Sequence, residues 1–172
     1  LVVPISLSRV GEQFHHVLWY YKNGPDDRPR QDFRLQLAAL LARFLTGHSG
    51  CIATAAKAQW DTVTIVPSSQ NRKGQHPLEE VVKLITPLGT QYEPLLQSGS
   101  VQVTHTQASD RGYKPVGTVK GKRVLLIDNT FTAGSHVQSA ASALQRGGAL
   151  VVASVALGRV IKPEWSDEAK AL

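Results

Sequence analysis

The sharpest chemical signal in this chain is an aspartate that closes an apolar run and is followed closely by threonines, a glycine and a serine. It spans Val124-Leu125-Leu126-Ile127-Asp128-Asn129-Thr130-Phe131-Thr132-Ala133-Gly134-Ser135-His136. If the apolar run is a buried strand and a helix starts near Gly134, that helix presents backbone N–H groups with no carbonyl of their own. Ala133 and Gly134 let an anion come close to the backbone, and Thr132 and Ser135 add hydroxyl donors. A phosphate needs this set of donors. Asp128 would repel the same anion if it faced it, so its carboxylate is expected to lie to the side and accept hydrogen bonds from sugar hydroxyls.

A second anion-binding turn is expected after Thr62-Val63-Thr64-Ile65-Val66, a β-branched run ended by Pro67, Ser68 and Ser69. Gln70, Asn71, Arg72 and Lys73 follow. Hydroxyls, amides and two cations just past a strand stand where open parallel sheets bind their ligands. Between the two turns, His105 to Val119 is polar, has little to bury and carries Gly112 and Gly117 as hinge points. It reads as a mobile lid.

The segment from Val124 to His136 resembles the motif with which type I phosphoribosyltransferases bind 5-phosphoribosyl-1-pyrophosphate (PRPP). That motif has four apolar residues, an acidic pair, a short hydrophobic step, then Thr-Thr-Gly-x-Thr/Ser. Val124 to Asp128 match it, as do Thr132, Ala133 and Gly134; Asn129 replaces the second acid, Thr130 an aliphatic residue and His136 a small hydroxyl residue. From about Val17 to Leu157 the chain is most similar to the ComF branch of that family. The likeness rests on Leu18-Trp19-Tyr20-Tyr21-Lys22 ahead of a leucine-rich helix, on Val63 to Ser69 ahead of Arg72-Lys73-Gly74, and on Thr104, Gln107 and Arg111.

The resemblance implies that Thr130, Thr132, Ala133, Gly134, Ser135 and His136 hold the 5-phosphate. It implies that Ser68, Ser69, Gln70, Asn71, Arg72 and Lys73 hold the pyrophosphate. Asp128 and Asn129 would address the ribose, and Arg111, brought in by the lid, would complete the catalytic set. The reaction implied is transfer of the 5-phosphoribosyl group to a nitrogen nucleophile such as a nucleobase, with release of pyrophosphate. Mg²⁺ would arrive on PRPP, with Asp128 the one protein group to approach it. Asn129 brings no charge to a metal-bound sugar, so a second reading stays open, a regulatory protein that senses PRPP or a nucleotide. A third makes the basic surface a nucleic-acid groove.

The elements that must position these groups follow from periodicity. Leu1 to Leu7 and part of Phe14 to Tyr20 read as extended or mixed, and Asn23-Gly24-Pro25-Asp26-Asp27 as a break. Asp32 is expected to cap a helix through about Leu45, closed by Gly47. Pro77 opens a second helix, Val101 to Thr104 reads as a strand, Arg123 to Ile127 as another, Gly134 to Arg146 as a helix and Leu150 to Leu157 as a last strand. The final two strands lack polar alternation, as in a parallel sheet covered on both faces. The expected fold is a single α/β domain with a mostly parallel central sheet flanked by helices. A small hood from the N-terminal segment and the tail after Leu157 would supply acceptor contacts.

With 172 residues, 42% hydrophobic and 19% charged, one core is expected. The net charge of +6 suits a polyanionic partner. Its clusters at Arg28, Arg30 and Arg34, at Arg72 and Lys73, and at Lys120, Lys122 and Arg123 favour a small phosphorylated ligand over nucleic acid only in combination with the motif. No stretch approaches the roughly 18 apolar residues of a membrane span, and Leu1 to Leu7 lacks the charged flank of a signal peptide. A cytoplasmic homo-oligomer with no membrane partner is expected. One cysteine, Cys51, forms half a metal site with His48, so no structural zinc is expected. His15, His16, His48, His76 and His105 show no catalytic pairing, and Trp19, Tyr20 and Tyr21 read as packing residues.

Overall fold

The structure is a computed structural model that describes residues 1–68, 75–104 and 106–162. In chain order the elements are β1 (Val2–Arg9), α1 (Gln13–Asn23), α2 (Asp27–Ala56), β2 (Thr62–Ile65), α3 (Pro77–Lys83), α4 (Thr86–Gln91), β3 (Leu96–Ser98), β4 (Tyr113–Pro115), β5 (Arg123–Phe131), α5 (Ser135–Arg146) and β6 (Leu150–Ile161). Four strands form one sheet in the order β1-β6-β5-β2, and β3 and β4 form a separate antiparallel pair. Every neighbouring pair in the larger sheet is parallel. This is the α/β architecture expected from the sequence.

Both faces of the sheet are covered, which explains the unbroken apolar run in β5. Successive side chains of a strand point to opposite faces. Leu125 and Ile127 pack with Val17, Leu18, Tyr21, Leu41 and Val81, from α1, α2 and α3. Val124 and Leu126 pack on the other face with Val137, Ala140 and Leu144 of α5, and with Leu96 and Tyr113 of the small hairpin.

Several boundaries differ from the sequence reading. Phe14 to Tyr20 lies in α1, whose buried residues Val17, Leu18 and Tyr21 fall on one helical face that the surrounding histidines and aromatics blur. The helix expected from Asp32 to Gly47 runs instead from Asp27 to Ala56, ending at Lys57 with φ 54°. A glycine inside a helix costs only about 1 kcal/mol; Gly47 and Gly50 have open space beside them, and Ile52 anchors the following turn in the core. Val101 to Thr104 is not a strand. The ladder forms between Leu96–Ser98 and Tyr113–Pro115 instead, because Tyr113, 2% exposed, carries its strand into the core.

Two further expectations change. Val2–Arg9 is an edge strand of the central sheet, paired with β6 from Val2↔Ser154 to Arg9↔Ile161, rather than part of a hood. The tail beyond Lys162 lies outside the described residues. The stretch read as a mobile lid has anchors: Tyr113 and Val119 are buried, Ser109 N–H donates to Ser139 Oγ at 2.9 Å, and Ser142 Oγ donates to Asp110 Oδ1 at 2.7 Å. Arg146 adds a hydrogen bond to the Asp110 carbonyl. These contacts fasten the segment to α5. His105 is outside the described residues.

Candidate functional site

A ledge in the sheet creates the site. β2 and β5 run side by side from Thr62↔Val124 to Ile65↔Ile127, and Val66 N–H adds one more bond to Ile127 O at 2.9 Å. The chain then leaves the sheet at Pro67 and Ser68, while β5 continues against β6 through Asp128↔Ala156, Thr130↔Gly158 and Phe131↔Arg159. The strand thus runs on through Phe131, where the sequence suggested a loop from Asp128. Above the ledge opens a cleft of about 620 Å³, walled by the turn after β2, the end of β5 and the start of α5.

The turn from β5 into α5 is only Thr132, Ala133 and Gly134. Gly134 has φ 84°, and a Cβ there would lie 2.8 Å from Phe131 Cε2. The left-handed backbone and the close ring both call for glycine. Gln138 N–H is the first to bond back along the helix, to Gly134 O at 2.9 Å. The N–H groups of Ser135, His136 and Val137 therefore sit at the positive end of a twelve-residue helix, where the helix offers them no carbonyl. Ser135 does not turn its hydroxyl to the cleft: Oγ donates to Thr104 O at 2.5 Å and holds the long loop in place.

Asp128 is 6% exposed. Burial pushes its carboxyl up to about 6, against the opposing effects of the Asn129 N–H, the Lys22 charge and the Thr130 N–H. The Asn129 N–H reaches Oδ1 at 2.8 Å. With its side-chain amide oriented to suit both neighbours, Asn129 also donates from Nδ2 to Asp128 Oδ1 at 3.3 Å and accepts from Lys22 Nζ. Lys22 gets there because α1 lies close against β6: a Cβ on Gly158 would stand 2.6 Å from Leu18 Cδ1 and 3.0 Å from Phe14 Cε1.

Tyr113 ties three walls together. Its hydroxyl donates to Pro67 O at 3.2 Å, in the turn after β2, and lies 2.9 Å from Nδ1 of His136 in the first turn of α5. One hydroxyl proton serves one acceptor, so with Pro67 O satisfied the oxygen accepts from Nδ1–H of His136. Burial, and then the Asp128 charge, push the Tyr113 phenol above its ordinary range. It remains a neutral hydroxyl at physiological pH.

Asp128, Asn129, Thr130, Thr132, Ala133, Gly134, Ser135 and His136 all line the cleft, and so does Ser68 from the other turn. Ser69, Gln70, Asn71, Arg72 and Lys73 lie outside the described residues. Arg111 is not brought to the cleft. It is exposed, and lines a separate depression with Asp110 and Arg146, because the hydrogen bonds to α5 hold its loop outward. Residues not singled out from sequence are also present: Trp19, Lys22, Asn23 and His76 line the cleft. Of the aromatics read as packing residues, Tyr21 is fully buried and Trp19 is 52% exposed at the cleft. His76 caps α3, its Nδ1 accepting from Leu78 N–H at 3.2 Å.

Among the described residues no group of three or more His, Cys, Asp and Glu side chains is placed to hold a metal ion. Among the described residues Asp128 is the one carboxylate lining the cleft, and the Lys22 charge acts on it. These residues do not fit a divalent cation held by the protein itself.

By sequence, the chain matches no protein-family model and no curated protein. By structure it is similar to the allosteric regulatory enzyme of purine biosynthesis, with a TM-score of 0.38 and 24% identity over 69% of this chain and 25% of that one. It thus spans about a quarter of that enzyme's length. It is also similar to a purine phosphoribosyltransferase from Pyrococcus horikoshii Ot3, with a TM-score of 0.38 and 17% identity over 77% of this chain and 88% of that one.

Proposed function

We propose that the cleft binds PRPP and that the protein transfers its 5-phosphoribosyl group to a nitrogen nucleophile such as a nucleobase, releasing pyrophosphate. The observation that carries this reading is the shared cleft. The Gly134 turn with its helix start and the Ser68 turn open onto one space, which Asp128 also lines. One turn suits the 5-phosphate, the other suits the pyrophosphate, and a buried carboxylate on the same cleft suits the sugar hydroxyls.

In this reading the chain does little covalent work. The backbone at Thr132 to His136 fixes the 5-phosphate, Asp128 orients the ribose, and the turn after β2 steadies the leaving pyrophosphate while the C1–O bond breaks and the C1–N bond forms. The Mg²⁺ that PRPP carries in solution is given no role on these residues. Away from the cleft, several basic residues are matched by acids: Arg34 with Glu80, Lys122 with Glu93 and Arg123 with Asp61. That pairing favours a small anionic ligand over a nucleic-acid groove.

The contact between Lys22 and Asn129 favours a second reading, in which PRPP or a nucleotide is bound and sensed without efficient turnover. One experiment separates the two: incubation with PRPP and a panel of nucleobases while pyrophosphate release is followed, beside calorimetric titration of PRPP. Release supports the transferase, binding without release supports the sensor, and the absence of binding overturns both.

A further inference from the structure

Most side chains on the cleft are polar or small, but one is neither. Val66, Pro77 and Val137 line the cleft and are themselves buried, so they offer a ligand little surface. Trp19 lines it with 52% of the residue exposed. Trp60, by comparison, packs against the core. A large apolar side chain left in water forgoes the burial that would stabilise it. On a cleft wall such a surface marks where an apolar part of a ligand lies.

The fold places that ring beside the sugar. Trp19 and Lys22 stand three residues apart on α1, the spacing at which helical side chains are neighbours. Lys22 donates to the Asn129 amide and its charge acts on the Asp128 carboxyl, the two residues that address the ribose in the reading above. The indole therefore lies one helical turn from the ribose groups. A bank of rings supports it: the Trp19 and Tyr20 ring centres are 6.2 Å apart at 67°, and Tyr20 meets Phe33 at 5.5 Å and His16 at 5.3 Å. The Tyr20 hydroxyl donates to Asp26 Oδ2 at 3.1 Å. A surface already held in place loses little entropy when a ligand settles on it.

We propose that Trp19 selects the group attached at C1 of the ribose: a planar aromatic ring stacks on its indole, so the acceptor nitrogen belongs to a heteroaromatic ring and not to ammonia or an aliphatic amine. The proposal rests on the sugar-phosphate reading above and deepens it, because that reading leaves the class of nitrogen nucleophile open. Every heteroaromatic base has a π face that can lie on an indole. Ammonia and aliphatic amines have none, and would leave the indole in water.

The test is calorimetric titration of the full chain with three ligands that differ at C1: ribose 5-phosphate, adenosine 5′-monophosphate and uridine 5′-monophosphate. The proteins are the wild type, Trp19→Ala, Trp19→Leu and Trp19→Phe. At least one nucleotide is expected to bind the wild type about tenfold or more tightly than ribose 5-phosphate, the size of one base stacked on one aromatic ring. That preference should fall to within about threefold in Trp19→Ala and in Trp19→Leu, which keeps apolar bulk without a ring, and should persist in Trp19→Phe. The preference is a ratio within each protein, so a general loss of stability cancels from it. A tryptophan that only packs against Tyr20 would weaken all three ligands alike and leave the ratio in place. A preference that survives in Trp19→Ala and Trp19→Leu, that is lost in Trp19→Phe as well, or that is missing from a wild type that binds ribose 5-phosphate overturns the role of Trp19 and leaves the sugar-phosphate site standing. Failure of all three ligands to bind the wild type overturns the site and the proposal with it.

Discussion

Replacing Asp128 with asparagine should make the ligand-free protein more stable at pH 8 and abolish tight binding. The carboxyl is buried, and its surroundings push it up to about 6 from the ordinary 3.8. A group whose folded-state value lies above its unfolded value holds its proton more tightly in the native state. Between these two values the native state binds more protons than the unfolded chain, so stability falls as pH rises through about 6. At pH 8 the ionised, buried carboxylate therefore costs the fold about 3 kcal/mol relative to its protonated form.

Asparagine keeps the shape and the acceptor oxygen for the Asn129 N–H, and removes the charge. It also brings an N–H₂ group that must find an acceptor, which offsets about 1 kcal/mol of the gain. The expected net effect is a stabilisation of about 2 kcal/mol at pH 8, a rise of roughly 4–8 °C in melting temperature for a chain of this size. Near pH 4.5 the native carboxyl is protonated but the unfolded one is still ionised, so only about 1 kcal/mol of the penalty remains; it cancels the cost of the amide, and the difference should vanish. Urea unfolding of both proteins at the two pH values measures it. A variant less stable than the wild type at pH 8 would refute the reasoning, because Lys22 and the two backbone donors would then outweigh burial.

Other outcomes follow from the same contacts. Affinity for ribose 5-phosphate should fall more steeply below about pH 6 in the wild type than in Asp128→Asn, since a protonated Asp128 no longer accepts two hydroxyls while the phosphate's own protonation acts on both proteins alike; calorimetry across pH checks it. Gly134→Ala should lose about 1–3 kcal/mol of stability through its left-handed backbone and its clash with Phe131, and should weaken phosphate binding, as read by melting temperature and titration. Tyr113→Phe should cost about 1–3 kcal/mol by removing the hydroxyl's hydrogen bonds to the Pro67 carbonyl and to His136 Nδ1, and should weaken PRPP more than inorganic phosphate because it loosens the wall between the two turns. Arg111→Ala should leave ribose 5-phosphate affinity within about twofold, the effect expected of an exposed cation outside the cleft; a larger loss would show that the loop leaves α5 and closes over the ligand.

What the sequence discloses about this site is what lies close together along the chain. The strand, turn and helix start around Asp128 and Gly134 come from one short segment, whose residue types state the backbone geometry and the donors directly. The Ser68 turn was legible for the same reason, as the exit from a β-branched strand. Lys22 and Trp19 were not legible as site residues: they reach the cleft through the packing of α1 on Gly158, a contact between the two ends of the chain. Tyr113 had a signal, an isolated aromatic in a polar stretch, which marks an anchor and argues against a free lid. The extent of α2 was hidden because a glycine on an open helix face costs less than the core contact beyond it returns.

Asp128 and Gly134 share a property that bears on what the cleft is for. A buried carboxyl beside a strand end lowers stability at neutral pH, and an apolar or amide side chain at that point of β5 would pack as well. A left-handed glycine pressed against an aromatic ring makes a tight turn, but a turn one residue longer would join β5 to α5 without it. Each feature is locally unfavourable, and the two stand on one cleft a few residues apart. Their combined effect is to leave a carboxylate and a set of helix-start N–H groups on the lining of one cleft. A ligand with hydroxyls at one place and a phosphate at the next, as proposed above, would give both features a use.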